Sequence, residues 1–547
     1  MINLLKVRRK SNPYVLYASA LIVGINGCAG NRSIDKPNIL FIMSDDHTSQ
    51  AIGAYNDRFT IINPTPNIDQ LAKEGIIFRQ NFCTNSISTP SRATIITGQY
   101  SNKNGVLGLD GALKPENQYL PIEMKKAGYQ TAIIGKWHLK HAPSAFDYYN
   151  VLVNQGEYFD PVLFSNDTTG KQKREFIFSN GIVREEYAKK YNGHSTDVIT
   201  DLALEWFKVK REPDKPFFFC LHYKAPHDMF EYAPRYENYL ANVEFPEPAN
   251  LWNQDNWGSV GTRGINDSLR NVIGSSIGKR NIIRNMGKHM NIDPSFTDSI
   301  YKKEAYQEYM RRYFRCVKGI DDNIGRLIKF LKDEGLMDKT IIIYTADQGI
   351  FLGEHDFIDK RWMYDEAIKM PLIVRYPKEI KAGTSCDWLT NNTDYAPTLL
   401  DFSGVNKPDY MQGFSLRSAM SGNKEPADWR KTTYYRYYMH MAHNHNNPAH
   451  LGIRSKDYKL ILFYGQDYDK SGAAKNDKNR FWRNTPVSWE FYDLRNDPGE
   501  NINQYENPKF QKIIADMKSQ IKDIRLEIGD EDDQFPHLKE IIDFQLK

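Results

Sequence analysis

Short apolar runs alternate along this chain with longer amphipathic segments, and that alternation constrains the fold more than any other feature. The predicted strands are residues 38–43, 129–134, 216–221 and 340–344, and the predicted helices are residues 66–74, 196–209 and 304–334. Thr65 is the predicted cap of the first helix, with Pro66 at its first position. Such alternation predicts an α/β fold, with a large, mostly parallel sheet sandwiched by helices.

A different pattern begins after residue 425. The aromatic-rich runs at residues 432–440, 451–456, 458–464 and 489–494 are predicted strands, and residues 508–526 have the pattern of an amphipathic helix. We therefore divide the globular part into a domain at residues 37–425 and a smaller C-terminal subdomain at residues 426–547, built on an antiparallel sheet. Residues 250–298, rich in Asn, Gly, Ser and Arg, are predicted to form a long insertion over the sheet rim.

The first 27 residues have the pattern of an export signal. Four basic residues, all between positions 6 and 10, precede an apolar stretch at residues 14–25 that is too short for a stable membrane span. The following Ile25-Asn26-Gly27-Cys28 resembles the lipobox of bacterial lipoproteins, which predicts a lipidated Cys28 and a tether at residues 28–36. The alternative is a plain cleaved signal peptide in which Cys28 has no role.

The overall charge is explained by that signal. Lys and Arg number 72 and Asp and Glu number 68, so the formal charge is +4. Removal of residues 1–27 takes away four positive charges and no acids, which leaves the predicted mature chain neutral. We therefore expect no nucleic-acid partner, and anion recognition from a few placed cations. The expected location is outside the cytoplasm, as a periplasmic or outer-membrane-anchored lipoprotein of a Gram-negative bacterium.

Cysteines give little guidance. Apart from Cys28, the chain has four, which are too sparse for a disulfide framework and have no CxxC metal-binding spacing. One or two disulfides remain open, without a pairing.

The segment from Ser88 to Gly98 is the most informative one for chemistry. Pro90 suits the first turn of a helix, so Ser88 is predicted at or just before a helix N-terminus, where free N–H groups favour anions. Arg92 then lies one turn further along and can hold an oxyanion with its planar fork. Taken alone, a Ser-x-Pro-x-Arg pattern is usually a capped surface helix.

Oxygen ligands follow two of the predicted strands. Asp45 and Asp46 come directly after the first strand, and Asp347 and Gln348 come after the strand at residues 340–344. Carboxylate and amide oxygens suit a hard cation such as Ca²⁺ better than zinc. Either pair alone is equally compatible with a solvated loop.

The eleven residues from Ser88 to Gly98 resemble the signature of the type I sulfatases, in which the first residue, Cys or Ser, is oxidised to formylglycine. Other motifs of that family appear in order: Asp45-Asp46, Gly135-Lys136-Trp137-His138-Leu139, His222-Tyr223-Lys224-Ala225-Pro226-His227, Ala346-Asp347-Gln348-Gly349, Gly353-Glu354-His355 and Lys360. The segment from Trp489 to Gly499 resembles the family's closing strand and turn. The resemblance implies an alkaline-phosphatase-like fold.

The resemblance also implies the cofactors. Formylglycine (3-oxoalanine) made from Ser88 would be the nucleophile, as a gem-diol, and would hydrolyse sulfate esters together with Ca²⁺. The implied ligands of the ion are Asp45, Asp46, residue 88, Asp347 and Gln348. Because many relatives have Cys where this chain has Ser88, maturation would depend on an enzyme that accepts serine, which in bacteria resembles the anaerobic radical type.

Further roles follow from the same resemblance. His227, with Lys360, would protonate the departing sugar oxygen, and His138 would take the proton from the second hydroxyl of the gem-diol. Imidazole suits both roles because it titrates near neutral pH. Arg92 and Lys136 would orient the formylglycine, the metal and the sulfate oxygens.

The surrounding segments resemble bacterial carbohydrate sulfatases, including the N-acetylglucosamine-6-sulfatase-like group, which act on glycosaminoglycan or mucin-type glycans. The substrate-binding candidates are Lys224, His355, Arg361 and the histidine cluster of His440, His443, His445 and His450, in which His443 and His450 are preferred. A solvated or hydrogen-bonded loop is the alternative for the cluster. Asp356 stands where many relatives have Gly, so the sequence does not identify the sugar.

Two other functions remain open from sequence. One is a phosphatase or phosphodiesterase of the same superfamily with Ser88 as the direct nucleophile, although such enzymes usually need two transition-metal ions with His ligands and the predicted ligands are oxygen-only. The other is an inactive glycan-binding lipoprotein, which the presence of every catalytic position disfavours.

Overall fold

The computed structural model describes residues 36–178, 180–253, 257–469 and 484–547. The predicted signal peptide, Cys28 and nearly all of the predicted tether lie outside the described residues. From Pro37 to Lys547 the chain forms one compact unit.

The predicted long apolar runs are strands. In chain order the strands are β1 (Asn38–Ser44), β2 (Ile76–Phe78), β3 (Asn81–Phe82), β4 (Gln130–Gly135), β5 (Tyr148–Leu152), β6 (Val162–Ser165), β7 (Gln172–Ile177), β8 (Val183–Lys190), β9 (Phe217–Tyr223), β10 (Ser275–Ser276), β11 (Thr340–Ala346), β12 (Phe351–Leu352), β13 (Phe357–Asp359), β14 (Leu372–Arg375), β15 (Thr384–Cys386), β16 (Thr390–Asn391), β17 (Thr433–Tyr437), β18 (His450–Arg454), β19 (Tyr458–Phe463) and β20 (Ser488–Asp493). Strands β1, β4, β9 and β11 lie within two residues of the predicted bounds, which confirms the apolar runs as strands.

Helices lie in several of the connections between these strands and after the last strand. They are α1 (Pro66–Lys73), α2 (Ser88–Thr97), α3 (Ser101–Asn104), α4 (Tyr119–Lys126), α5 (Ser195–Glu205), α6 (Val260–Arg263), α7 (Met286–His289), α8 (Asp298–Asp333), α9 (Asp365–Ile368), α10 (Tyr395–Phe402), α11 (Arg417–Met420), α12 (Gln511–Ile528) and α13 (Pro536–Gln545). The three predicted helices are α1, α5 and α8. Helix α5 continues as a π-helical turn over Trp206–Lys210, and α8 begins six residues earlier than predicted.

The start of α1 differs from the prediction in its cap. Thr65 precedes the helix, but its hydroxyl donates to Asp69 Oδ1 at 3.0 Å and does not bond to the helix N–H groups. Those groups bond to Asp321 of α8, which accepts from the N–H groups of Asn67 and Ile68. A carboxylate from another helix therefore takes the role that local sequence gave to Thr65.

The large sheet has eleven strands in the order β15–β2–β14–β11–β1–β9–β4–β5–β6–β8–β7. Its central strands β11, β1, β9, β4 and β5 are parallel, and most pairs outside them are antiparallel. The fold is therefore the expected large mixed sheet with a mostly parallel centre. Because parallel strands end at the same edge, the residues that follow β1, β4, β9 and β11 are brought together.

Both faces of the central strands of this sheet are buried. Along β1, Ile39 and Phe41 belong to one apolar core, and Leu40 and Ile42 belong to the other. The first core includes side chains of α2, α4 and α10, and the second includes those of α1, α5 and α8. Alternate side chains of one strand thus face opposite helical layers, which is why the apolar runs are continuous rather than alternating.

The C-terminal strands form the predicted antiparallel sheet, in the order β17–β18–β19–β20. Helix α12 covers it, with Ile514, Met517 and Ile521 in one apolar core with Leu460 and Leu462 of β19. The expected boundary after residue 425 falls in the connection between α11 and β17.

The predicted insertion contains the short elements α6, β10 and α7. It is fastened to the rest of the chain through Asp356, which accepts from the Gly278 N–H at 3.1 Å and from Arg280 Nε at 3.2 Å, and forms an ion pair with Lys302 at 3.3 Å. Strand β10 also pairs with β13. Asp356 therefore helps to hold the insertion in place.

The structure also bears on the cysteines and on membrane-spanning helices. The four cysteines of the described chain are buried free thiols, so none of these residues is paired in a disulfide. Within the described ranges, no helix has both the length and the apolar content that crossing a membrane requires.

Candidate active site

The predicted metal ligands lie at the carboxyl ends of β1 and β11, which are neighbours in the sheet. The last residues of these two strands are in register, so the side chains that follow them meet. The Asp46 N–H donates to Asp347 Oδ1 at 3.2 Å, and Gln348 Nε2 donates to Asp46 Oδ1 at 2.5 Å. With Asp45, these side chains are fully buried. Three carboxylates and one amide therefore converge at the edge of the sheet where α/β folds bind ligands.

Helix α2 begins at Ser88, which confirms the helix start predicted from Pro90. Ser88 Oγ donates to Asp45 Oδ1 at 3.2 Å, and Gln348 Nε2 donates to the same hydroxyl at 3.5 Å. The N-terminus of α2 therefore points its first residue at the carboxylate cluster.

Arg92 and Lys136 are buried cations beside this cluster. Arg92 donates from Nε to Asp347 Oδ2 at 2.9 Å and from Nη1 to the carbonyl oxygen of Lys136 at 2.8 Å. Lys136, which follows β4, contacts Asp45 Oδ2 and donates to Gln155 Oε1 at 2.6 Å. Arg92 therefore links the start of α2 to the residues that follow two strands of the sheet.

Lys360, the residue directly after β13, also contacts the carboxylate cluster. Its Nζ donates to Asp46 Oδ2 at 2.5 Å and lies 3.3 Å from Asp359 Oδ1. Asp359 in turn contacts Arg361 Nε at 3.2 Å and His445 Nδ1 at 2.5 Å. Lys360 and Arg361 thus belong to one charged network, in which the loop between β17 and β18 takes part.

The cluster has strongly perturbed electrostatics. Burial raises the pKa of Asp347 to about 7, and the charge of Asp45 adds to this effect. Burial acts on Asp45 in the same direction, but Lys136, His227 and Arg92 outweigh it and hold the pKa of Asp45 well below its usual range. Carboxylates this close repel one another, so a cation among them would stabilise their ionised forms.

The residues fit a hard cation. Gln348 Oε1 is buried and has no hydrogen-bond partner among the described residues, so the amide offers an unused oxygen ligand beside the carboxylates. Ligand atoms of Asp45, Asp46 and His227 lie within 4.8 Å of one another. Carboxylate and amide oxygens are the ligands that Ca²⁺ prefers.

His138 lies next to the start of α2. The Thr89 hydroxyl donates to the His138 carbonyl oxygen at 3.2 Å and lies 3.5 Å from its Nδ1. Burial lowers the pKa of His138 well below its usual value, and the charges of Lys136 and Lys140 add to this effect. The ring is therefore neutral near pH 7 and able to accept a proton, which is the state a general base needs.

His227 and Lys224 come from the segment after β9. His227 Nε2 lies 3.9 Å from Asp46 Oδ2, and its side chain keeps 13% of its exposure. Lys224 Nζ donates to the Gln155 carbonyl oxygen at 3.3 Å and lies 4.8 Å from the centre of the Tyr158 ring. His227 thus faces Asp46 of the cluster, whereas Lys224 is buried beside Gln155 and Tyr158.

Two of the substrate-binding candidates lie elsewhere. His355 is 1% exposed, with its ring centre 5.4 Å from that of Tyr364, and His450 is completely buried, with its ring centre 4.9 Å from that of Phe463. Both histidines are packed in the aromatic core, so neither lies on a sugar rim. His443 is partly exposed in the loop between β17 and β18.

Three side chains of the site had no role in the sequence-based prediction: Gln155, Asp228 and Asp359. Asp228 and Asp359 each stand next to a predicted catalytic residue, and that adjacency was the available signal. Gln155 has no such signal, since it reaches Lys136 only because β4 and β5 are neighbours.

Comparison with known proteins identifies the family. A model of the sulfatase family matches residues 37–405 of the chain. The chain belongs to the sulfatase family. A second model, described as N-sulphoglucosamine sulphohydrolase, C-terminal, matches residues 353–471 of this sulfatase. It is accordingly a sulfuric ester hydrolase, as the motifs predicted.

Similar proteins extend over nearly the whole of this sulfatase. An N-acetylglucosamine-6-O-sulfatase of Bacteroides thetaiotaomicron is 36% identical over 98% of this chain and 94% of the relative. The human N-acetylglucosamine-6-sulfatase is 26% identical, over 76% of this chain and 71% of the human protein.

Solved structures share the fold of this sulfatase. One, solved in complex with its substrate D-glucosamine-2-N,6-O-disulfate, has a TM-score of 0.74 at 35% identity and covers 91% of this chain and 99% of its own. A phosphonate monoester hydrolase of Silicibacter pomeroyi has a TM-score of 0.65 at 21% identity, over 90% of this chain and 96% of its own, and shares the fold alone. The expected alkaline-phosphatase-like architecture is confirmed.

Proposed function

We propose that this sulfatase removes sulfate esters from glucosamine-type sugars of glycosaminoglycan or mucin-type glycans and releases inorganic sulfate. The observation that carries the proposal is the buried site in which Ser88 at a helix N-terminus meets three carboxylates and the cations Arg92, Lys136 and Lys360. The names of the similar proteins, which act on 6-sulfated glucosamines, support the sugar and make the 6-position the first one to test.

The implied groups supply the nucleophile and the positive charge. Formylglycine made from Ser88 would provide a hydrated aldehyde that attacks sulfur, and Ca²⁺ held by Asp45, Asp46, Asp347 and Gln348 would oppose the charge of the sulfate oxygens. The side chains of Arg92 and Lys136 are already fixed by buried contacts, so they orient the reacting groups without further rearrangement.

Two histidines divide the proton transfers. His138, neutral because of its burial, accepts a proton from the hydroxyl at position 88. His227 directs Nε2 toward the cluster and donates a proton to the departing sugar oxygen, with the Lys360 ammonium close by. Lys224 is buried beside Gln155, the residue that also accepts from Lys136, and adds a further positive charge for a sulfate oxygen.

Sulfate release is the direct test of this activity. The protein, produced in a host with a serine-accepting maturase, is incubated with glucosamine that carries a single N-, 3-O- or 6-O-sulfate and with N-acetylglucosamine that carries a single 3-O- or 6-O-sulfate. We expect release from the 6-sulfate and loss of activity in Ser88→Ala. Cleavage of phosphate monoesters without sulfate release would contradict the proposal and favour the phosphatase, and binding without turnover would favour the inactive glycan-binding protein.

Ser195→Ala is the matched control. Ser195 is also a buried serine at the first position of a helix, α5, and its hydroxyl has no hydrogen-bond partner among the described residues. Its substitution should leave sulfate release unchanged, so a loss specific to Ser88→Ala identifies the reacting residue.

We also propose export, lipidation and enzymatic maturation for this chain. The basic and apolar pattern of residues 1–27 and the lipobox-like sequence before Cys28 support membrane attachment, in the periplasm or on the outer membrane. Cys28→Ala should release the protein from the membrane fraction, and a wild-type protein that is already released would contradict lipidation. Expression without the radical-type maturase should give nearly inactive protein.

A further inference from the structure

We propose that Asp228 is a positioning residue for His227, and that the insertion contributes to this pairing through Arg284. The inference rests on the proposed function, because it concerns the residue that protonates the departing sugar oxygen. Asp228 Oδ1 lies 2.6 Å from His227 Nδ1, and Arg284 Nη2 lies 3.8 Å from Asp228 Oδ2.

The surroundings of His227 Nδ1 define the tautomer of the ring. Besides the Asp228 carboxylate, the main-chain oxygen of Asp228 lies 2.8 Å from the same nitrogen. Both oxygens are acceptors, so Nδ1 carries a proton in this arrangement. The neutral ring is therefore the Nδ1–H tautomer, and the second proton of the charged ring is on Nε2, the nitrogen that faces Asp46.

This arrangement suits proton donation. When the bond between sulfur and the bridging oxygen breaks, its electron pair stays on the sugar oxygen, and that oxygen takes the proton from His227 Nε2. The ring that remains is the neutral tautomer that the two oxygens of Asp228 already bind. A carboxylate that holds one imidazole nitrogen in this way fixes the tautomer and the orientation of the ring.

The insertion holds the carboxylate in turn. Arg284 Nε donates to Ser275 Oγ at 2.7 Å, and Ser275 belongs to β10, which pairs with β13 directly before Lys360. The guanidinium therefore lies between Ser275 of the insertion and Asp228. The Asp228 side chain keeps 24% of its exposure, so its contacts with His227 and Arg284, rather than core packing, explain its orientation.

The effect of Asp228 should depend on the leaving group. A sugar alcohol leaves as a strong base and needs the proton, whereas a nitro-substituted phenol leaves readily without one. In Asp228→Asn we expect kcat for glucosamine 6-sulfate to fall about 10- to 100-fold with little change in KM. The rate for an activated aryl sulfate should change far less. Asp228→Glu should restore part of the loss, and Arg284→Ala should show a smaller loss with the same selectivity.

A second measurement uses the sugar sulfate alone. If His227 is poorly positioned, the bridging oxygen leaves with more negative charge, so the heavy-oxygen isotope effect at the bridging position should increase in Asp228→Asn. Asp267→Asn is the matched control, because Asp267 pairs with Arg263 in the same insertion at a more exposed position; it should behave as wild type.

Two results would overturn the inference. Equal losses on the two substrates, with an unchanged isotope effect, would mean that Asp228 has only a structural role. Wild-type rates on both substrates in Asp228→Asn would mean that it has no role at all. In either case the active wild-type protein would leave the proposed function standing, whereas a correctly matured wild type that does not desulfate the sugar would overturn both.

Discussion

Oppositely charged side chains are in contact at the centre of the site. Lys136 contacts Asp45, Lys360 contacts Asp46, and Arg92 contacts Asp347, all with little or no exposure to water. Removing one member of a buried pair leaves the other charge uncompensated, which costs more than the pair itself contributes. These contacts therefore position the cations for sulfate and also make the site sensitive to single substitutions.

Lys360→Met should lower both activity and stability. Loss of the ammonium beside Asp46 should reduce kcat about 100-fold or more, and the uncompensated carboxylate should lower the free energy of unfolding by about 3 kcal/mol. Sulfate release and urea denaturation measure the two effects.

Lys329→Met is the comparison for that variant, because Lys329 forms a surface pair with Asp333. Exposed pairs of this kind contribute about 0.5 kcal/mol, and the site is not involved. Equal losses of activity and of unfolding free energy in Lys360→Met and Lys329→Met would contradict the account of the buried pair.

His450 gives a prediction about acid stability. Burial lowers its pKa from 6.5 to about 3, so the unfolded chain takes up the proton first. The stability that comes from the neutral ring is complete above pH 6.5 and is lost as the pH falls toward 3. Between pH 7 and pH 5 wild type should therefore lose about 2 kcal/mol more stability than His450→Phe. Denaturation curves at the two pH values test this, and parallel losses would contradict it.

At the scale of elements, one buried carboxylate links the insertion to its neighbours. Asp356 accepts from the Gly278 N–H and pairs with Arg280, both in the insertion, and it also pairs with Lys302 of α8. Because β10 and α7 have few residues of their own to bury, we expect their order to come from this attachment and from pairing with β13. The same segment carries Arg284 toward His227, so the attachment also bears on catalysis.

Asp356→Asn should loosen the insertion. Asparagine tolerates the positive φ of 57° at this position but removes the charge that Arg280 and Lys302 face. A loss of about 3 kcal/mol in local stability would speed amide hydrogen exchange across residues 275–290 about 100-fold. Asp298→Asn is the control, since that side chain is 86% exposed. Unchanged exchange in Asp356→Asn would show that other contacts hold the insertion.

Sequence patterns were most reliable where local chemistry decides the structure. The strands β1, β4, β9 and β11 were predictable because a strand buried on both faces must be apolar throughout, and the start of α2 because Pro90 suits a first turn. The cap of α1 was not predictable, since Asp321 reaches it from a distant helix. The prediction that His355 and His450 bind the sugar failed for a similar reason. The burial of a histidine ring in an aromatic core depends on distant residues and has no local sequence signature.

At the scale of the molecule, the site is assembled from segments far apart in sequence, and a cation that binds them should stabilise the whole fold. A ligand present at 100 times its dissociation constant stabilises the native state by about 2.7 kcal/mol when the unfolded chain does not bind it. Addition of Ca²⁺ after treatment with a chelator should therefore raise the melting temperature. Asp347→Asn should abolish most of this increase, and an equal increase in both proteins would place the ion elsewhere.

The mass of the peptide at residues 80–92, which trypsin releases from the active protein, tests the central claim most directly. This peptide contains Ser88 and ends at Arg92. If Ser88 is converted to formylglycine, the peptide is lighter than its sequence by two hydrogen atoms, and the converted fraction rises in step with sulfate release across preparations. A fully active protein whose peptide carries unmodified serine throughout would contradict the account.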